Sequence, residues 1–312
     1  MTELVYPGCD ARVSVAAFSG ARRFMEGVGR VAERTLNGVE TPSGKGASDE
    51  NFPVGSFLIR RALRPHIHAF YRFARQADDI ADNPDLSPDD KVRRLDRMAA
   101  IIDGAPGNDS LAATAMRASL QQTGVTPQHC HDILHAFRLD ATKTRYRDWD
   151  DLMDYCRYSA APVGRQVLDL HGEARTNWPA NDALCSALQI LNHLQDCGAD
   201  YRDLGRVYLP AEMLAACGAT VADLSQPRMS AGLRAVTGRL LDGTDRLLAA
   251  ASAFPAGIGN WGLRCEVAAI VALASRLAAH LRRGDPLAGR VKLGKVDFLA
   301  ALLLGTWQGS WI

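Results

Sequence analysis

No apolar run in these 312 residues reaches the roughly 18 residues that a membrane-spanning helix needs. The basic and apolar pattern of a secretory signal is missing as well, so no export is expected. The seven cysteines include no C-x-x-C pair. An odd number without paired spacing fits free thiols in a reducing compartment, and the expected location is the cytoplasm. A dominant charge is also lacking. With 36 Lys and Arg against 35 Asp and Glu the formal net charge is +1, which argues against a general nucleic-acid binder and against an acidic solvating tail. No G-x-G-x-x-G follows a strand pattern, so no dinucleotide fold and no NADPH are expected. Strand signals themselves are nearly absent.

What is present has a helical period. The 47% hydrophobic and 23% charged content describes an ordinary globular chain long enough for one large core. Residues 1–50, rich in Gly and Arg, read as a flexible leader in which Met25 is a second candidate start. Residues 51–312 read as one all-α domain. Helices are expected over residues 54–63, 65–82, 87–103, 110–123, 127–137, 149–171, 179–202, 210–216, 228–253, 262–283 and 295–304. Pro65, Pro127 and Pro179 sit where a helix accepts proline in its first turn. Ser87, followed by Asp89 and Asp90, is a good N-cap. The Pro and Gly punctuation is short and evenly spread, which favours a single domain.

Two acidic stripes stand out. On a helix, Gln189, Asn192, Asp196, Asp200 and Asp203 share one narrow polar face, while Leu184, Leu188, Ile190, Leu191 and Leu194 lie on the other side. Like charges at i, i+4 repel, so a helix that turns them inward needs a facing positive charge. A solvated acidic surface is the ordinary alternative. Against it stands an echo about 120 residues earlier, where Tyr71, Arg75, Asp78 and Asp82 form a second stripe with Asp79 beside it. The flanking Phe70, Phe73, Ala74 and Ile80 make that helix apolar over much of its circumference, and hence central. Two carboxylate clusters facing each other across a bundle suit Mg²⁺ when a diphosphate completes its octahedral shell. Arg75 and Arg206 would then clamp the diphosphate.

These residues resemble the squalene/phytoene synthase family over residues 51–293. Its first motif stands here as Phe70-Tyr-Arg-Phe-Ala-Arg-Gln-Ala-Asp-Asp-Ile-Ala-Asp82. The second stands as Gln189-Ile-Leu-Asn-His-Leu-Gln-Asp-Cys-Gly-Ala-Asp-Tyr-Arg-Asp203, followed by Arg206-Val-Tyr-Leu-Pro210. Between them, Tyr155-Cys-Arg-Tyr-Ser-Ala-Ala-Pro-Val-Gly164 is similar to the family's Tyr-rich central segment. The resemblance implies an isoprenoid-synthase-type helical bundle with a central cavity. It also implies two or three Mg²⁺ held by Asp78, Asp82, Asp196 and Asp200 with diphosphate, while Gln189 and Asn192 orient metal water or diphosphate. Condensing members carry Ser-Phe where this chain has Asn51-Phe52, and Val-Ala-Gly where it has Ser159-Ala-Ala-Pro. Within the family the chain is most similar to bacterial members of hopanoid biosynthesis that convert presqualene diphosphate and water to hydroxysqualene.

That likeness implies ionisation of the diphosphate, rearrangement of a cyclopropylcarbinyl cation and capture by water. The reacting cation would sit in an aromatic-lined cavity with Phe52, Tyr155 and Tyr158, Tyr155 steering a proton or the water. Arg75 would act on the leaving group. An upstream presqualene diphosphate synthase and a downstream hydroxysqualene reductase are the implied partners. Two other readings remain open: a condensing synthase acting on two prenyl diphosphates, and a catalytically silent relative serving as an assembly factor.

The remaining motifs carry less. His131 and His135 have the i, i+4 spacing of zinc ligands, but no second pair matches them, so a polar helix face is expected. Cys197 lies opposite Asp196 and reads as core. Trp261, Trp307 and Trp311 form either a C-terminal aromatic cluster or, with the apolar tail 298–305, a peripheral contact with a membrane surface. The basic stretch from Arg282 to Lys292 reads as a solvated loop.

Overall fold

The computed structural model describes residues 38–40, 59–294, 296–298, 300 and 301. The chain divides into two compact units, Met1–Gly38 and Val39–Ile312. Every helix among the described residues belongs to the second. In order the main ones are α1 (Arg64–Asp82), α2 (Pro88–Ile102), α3 (Leu111–Thr123), α4 (Gln128–Thr142), α5 (Trp149–Ser159) and α6 (Ala161–His171). There follow α7 (Trp178–Leu204), α8 (Ala211–Ala216), α9 (Ala231–Ala251), α10 (Phe254–Gly257) and α11 (Trp261–Arg283). Among the described residues there is no strand. A lone parallel bridge joins Arg145 and Val207. The class is all-α, as expected.

Local chemistry sets the helix starts. Ser87 caps α2 by accepting from the Asp90 N–H at 3.2 Å, with Asp89 and Asp90 complementing the dipole. Ser110, Asp148, Ser230 and Asn260 cap α3, α5, α9 and α11 in the same way. Three expectations shift. The helix expected over residues 149–171 is two, broken at Ala160 (φ −119°, ψ −48°). Pro162 has no N–H for the Tyr158 carbonyl, and its ring crowds that oxygen, which favours the break. α4 continues past residue 137 to Thr142, which places Asp140 on a helix. Of the helix expected over 54–63, the described residues 59–63 are not helical.

Two residues of the stretch expected as a leader, Val39 and Glu40, bond to the start of α3 and the residues just before it. Val39 is 8% exposed and its N–H donates to the Asp109 carbonyl at 3.0 Å. Glu40 accepts from the Ser110 hydroxyl at 2.8 Å and from the Ala112 N–H at 2.6 Å, which satisfies an otherwise unpaired donor at the start of α3.

The helices bury two large apolar clusters and a small one of Ala269, Leu273 and Ala301. α1 to α4 pack around Phe73, Ile80, Leu95, Met98, Ile101, Met116 and Leu134. The second cluster is built on α7, against which α6, α9 and α11 pack. Ile190, Leu191 and Leu194 of α7 are essentially unexposed, as the amphipathic pattern of that helix requires. Cys197 is buried beside them, as expected.

Candidate active site

A cavity of about 390 Å³ is walled from both large clusters: Ile67 and Phe70 of α1, Leu168 of α6, Leu184 and Leu188 of α7, and Leu263 and Val267 of α11. Such a volume is in the range of small-molecule sites, about 300–1,000 Å³. The wall is mostly apolar, and Tyr71, Gln189 and Asn192 bring polar groups to it. Tyr71 continues along α1 into Arg75, Asp78 and Asp82. Gln189 and Asn192 continue along α7 into Asp196 and Asp200. Both acidic stripes therefore run on from one cavity.

On α1, the Arg75 guanidinium lies 2.8 Å from Asp78 and 2.7 Å from Asp79. Burial pushes the Asp78 carboxyl up to about 8, helped by the negative charge of Asp82 and opposed by Arg75. One guanidinium is thus shared by two carboxylates. On α7, the Arg290 guanidinium sits 3.0 Å from Asp196. Burial raises the Asp196 pKa above the usual carboxylate value, with Arg290 opposing. His193 is 3.9 Å from Asp200, and its other ring nitrogen is 3.0 Å from the Gln189 amide.

A buried hub joins the stripes. α7 ends at Gly205, whose φ of +66° is open to glycine and strained for other residues. The turn lets the Arg206 N–H reach the Asp200 carbonyl at 3.1 Å. The chain then runs extended along residues 144–147, with the Val207 N–H donating to Thr144 at 3.0 Å and the Ala211 N–H to Tyr146 at 2.9 Å. Alternation along this segment sends Arg206 and Tyr208 to the same side. The Arg206 guanidinium donates to Asp82 at 2.6 Å, to the Ala81 carbonyl at 2.9 Å and to the Asp140 carbonyl at 3.1 Å. The Asp140 carboxylate accepts from the hydroxyls of Tyr155 at 2.8 Å and Tyr208 at 2.9 Å. Burial raises the Asp140 pKa against the pull of Arg206. Burial, and then Asp140, holds both tyrosines well above the ordinary phenol value, so they stay protonated donors. The Tyr208 ring stacks on His193 at 3.5 Å between centroids, closing the path to α7.

Among the described residues no group of three or more His, Cys, Asp or Glu could cage a metal. The candidate ligands are two carboxylate pairs. Asp78, Asp82, Asp196 and Asp200 have side chains 31%, 30%, 35% and 20% exposed. All-oxygen donors with excess negative charge fit a hard divalent cation that takes the rest of its shell from an anionic ligand.

The sequence model of squalene/phytoene synthases matches residues 46–297, most of the chain. The chain belongs to that family. It is 48% identical to a hydroxysqualene synthase of Zymomonas mobilis over 85% of this chain and 89% of that protein. It is 47% identical to a hydroxysqualene synthase of Rhodopseudomonas palustris over 84% and 89%. Among solved structures, a squalene synthase of Alicyclobacillus acidocaldarius superposes with a TM-score of 0.66 at 30% identity, covering 74% of this chain and 87% of that one. A dehydrosqualene synthase superposes with a TM-score of 0.67 at 21% identity, covering 81% and 90%, a likeness of fold.

Set against the family's motifs, the residues singled out from sequence fall into three groups. Tyr71, Gln189 and Asn192 line the cavity, and Arg75, Asp78, Asp82, Asp196 and Asp200 continue from it. Arg206, expected as a clamp presented to diphosphate, is instead spent on protein acceptors, with a side chain 7% exposed. The reason is the Gly205 turn, which tucks it under α1. Tyr155 and Tyr158, expected on the cavity wall, are absent from it. Tyr155 turns to Asp140, and Tyr158 lies edge-on to His135, centroids 4.5 Å apart. Ser159 and Ala160 line the wall in their place. Asn51, Phe52, Trp307 and Trp311 lie outside the described residues.

The His131–His135 pair does not form a metal site. His131 pairs with Asp103 at 2.8 Å, while His135 packs on Tyr158. Arg290, expected in a solvated loop, reaches Asp196. Asp140, Tyr208 and His193 were not foreseen. Tyr208 and His193 lie inside quoted motifs, but Asp140 belongs to no motif, and only its depth in the bundle marks it.

Proposed function

We propose that this chain is a hydroxysqualene synthase, taking presqualene diphosphate and water to hydroxysqualene and diphosphate with Mg²⁺ and without NADPH. The observation that carries this reading is a gap in similarity. Three hydroxysqualene synthases are 43–48% identical over 80–85% of the chain, whereas five phytoene synthases are 30–33% identical over 55–58%.

The geometry supports it. Asp78 and Asp82 on α1 and Asp196 and Asp200 on α7 would hold Mg²⁺. Bound there, the metal supplies the positive charge that stabilises diphosphate as it leaves. Arg75, already at the α1 pair, stands where it can share that charge. The apolar wall keeps bulk water from the cation, which would otherwise be captured at every electrophilic carbon. Arg206 and the Asp140 hub hold the end of α1 against the end of α7, so the carboxylates keep their places.

The test is a product assay. Purified protein with Mg²⁺ and no NADPH is given presqualene diphosphate or farnesyl diphosphate alone. Hydroxysqualene from the first and no C30 product from the second is expected. Presqualene diphosphate or a C30 hydrocarbon made from farnesyl diphosphate would make the chain a condensing synthase, and no Mg²⁺-dependent diphosphate release from either would make it a silent relative.

A further inference from the structure

Water capture demands something that an apolar cavity does not provide, namely a place where a single water is held and aimed. One wall residue has the chemistry for it. Gln166 of α6 lines the cavity and is 1% exposed, and neither its amide nitrogen nor its amide oxygen has a hydrogen-bond partner. Leaving a buried donor or acceptor unmade costs about 1–3 kcal/mol for each group. Near Gln166 in sequence, the Ser159 hydroxyl lines the same cavity and is also buried without a partner. A buried water needs about 2–4 polar partners. The amide nitrogen, the amide oxygen and the hydroxyl amount to three. The last torsion of glutamine is soft, so its amide can turn toward the cavity at little cost.

We infer that Gln166, assisted by Ser159, holds the water that captures the carbocation, and so decides between an alcohol and a hydrocarbon product. The inference rests on the hydroxysqualene synthase reading. The carbon–oxygen bond to diphosphate breaks with both electrons leaving on the diphosphate. The water held at Gln166 donates one hydrogen bond to the amide oxygen and gives an oxygen lone pair to the rearranged cation, forming the new carbon–oxygen bond. The oxonium then sheds one proton, which ends on the diphosphate, and no oxidant or reductant is consumed. Without the held water the cation is quenched by losing a proton from carbon, which leaves an alkene.

Gln166→Met keeps the length of the side chain and removes both polar atoms, and Gln166→Leu serves should the first fail to fold by circular dichroism. The readout is hydroxysqualene formed per diphosphate released from presqualene diphosphate. A purely structural role would lower both together and leave this ratio unchanged. We expect the ratio to fall at least fivefold, with a non-hydroxylated C30 alkene making up the difference, and Ser159→Ala to shift it the same way by less. Wild-type ratios in both Gln166 variants would overturn the inference and leave the underlying reading intact. Absence of hydroxysqualene from the wild-type protein would overturn that reading, and this inference with it.

Discussion

Replacing Arg206 with methionine separates a brace from a clamp. In the structure the guanidinium spends its donors on Asp82, Ala81 and Asp140. Methionine fills most of the same space and satisfies none of them. Breaking a buried ion pair by removing one partner costs about 3–5 kcal/mol. Here the lower end applies. The Asp82 side chain is 30% exposed and can rehydrate, and the Ala81 carbonyl keeps a hydrogen bond from Lys91 at 2.8 Å. A loss of about 3 kcal/mol, at about 2 °C per kcal/mol for a domain of this size, lowers the melting temperature by about 6 °C. Arg206→Lys restores one charge for Asp82 without the planar fork and should recover about half. The measurement is thermal unfolding by circular dichroism without ligand, beside calorimetric titration of inorganic diphosphate in Mg²⁺. Unchanged melting together with lost diphosphate affinity would refute the brace, because it would mean that Arg206 meets the ligand.

Other outcomes follow from the same geometry. Asp78, raised in the native state from 3.8 to about 8, keeps a proton there that the unfolded chain has given up, so the metal-free protein should lose stability as pH rises from about 4 to about 8; Asp78→Asn should flatten the slope in pH-dependent melting. Because a metal needs the ionised carboxylate, the Mg²⁺ concentration for half-maximal turnover should fall from pH 6 to pH 8, and a requirement independent of pH would remove Asp78 from the ligand set. Asp78→Ala and Asp196→Ala should each slow diphosphate release by about 10²-fold, and near-normal turnover in both would dismiss the metal assignment. Gly164→Ala places a Cβ into the Asn181 side chain and 2.8 Å from the Cys185 sulfur, where α6 meets α7. The expected cost is about 1–3 kcal/mol by chemical denaturation, together with a reshaped cavity.

Much of this was legible because helices write their contacts at a fixed period. The stripes Tyr71–Asp82 and Gln189–Asp200 could be read residue by residue, since a 3.6-residue repeat fixes which side chains share a face. Caps such as Ser87 were readable for the same local reason. What could not be read depends on neighbours far along the chain. Arg206 looked like a free cation, and only the turn at Gly205 shows that it faces the protein. Tyr155 and Tyr158 looked like cavity aromatics, yet the break before Pro162 separates α5 from α6 and hands the wall to Ser159, Ala160 and α6. Asp140 and Gln166 have no motif at all. Each is one polar residue at a buried position, and its meaning comes from partners brought there, or withheld, by the fold.

The separations across the Asp140 hub bear on how the protein comes into being. Helical bundles usually fold through contacts between neighbours in sequence, which makes them quick. Arg206, however, is 124 residues from Asp82, and Tyr208 is 68 from Asp140. Closing such loops is entropically expensive before any bond repays it. The helices and the cluster of α1 to α4 can form while the later helices are still being made. The two acidic stripes meet a common cavity only after the segment behind Gly205 has come back to α1. The capacity to expel diphosphate is therefore expected to arrive last, and a chain stalled part-way would have helix content without the means to generate a carbocation.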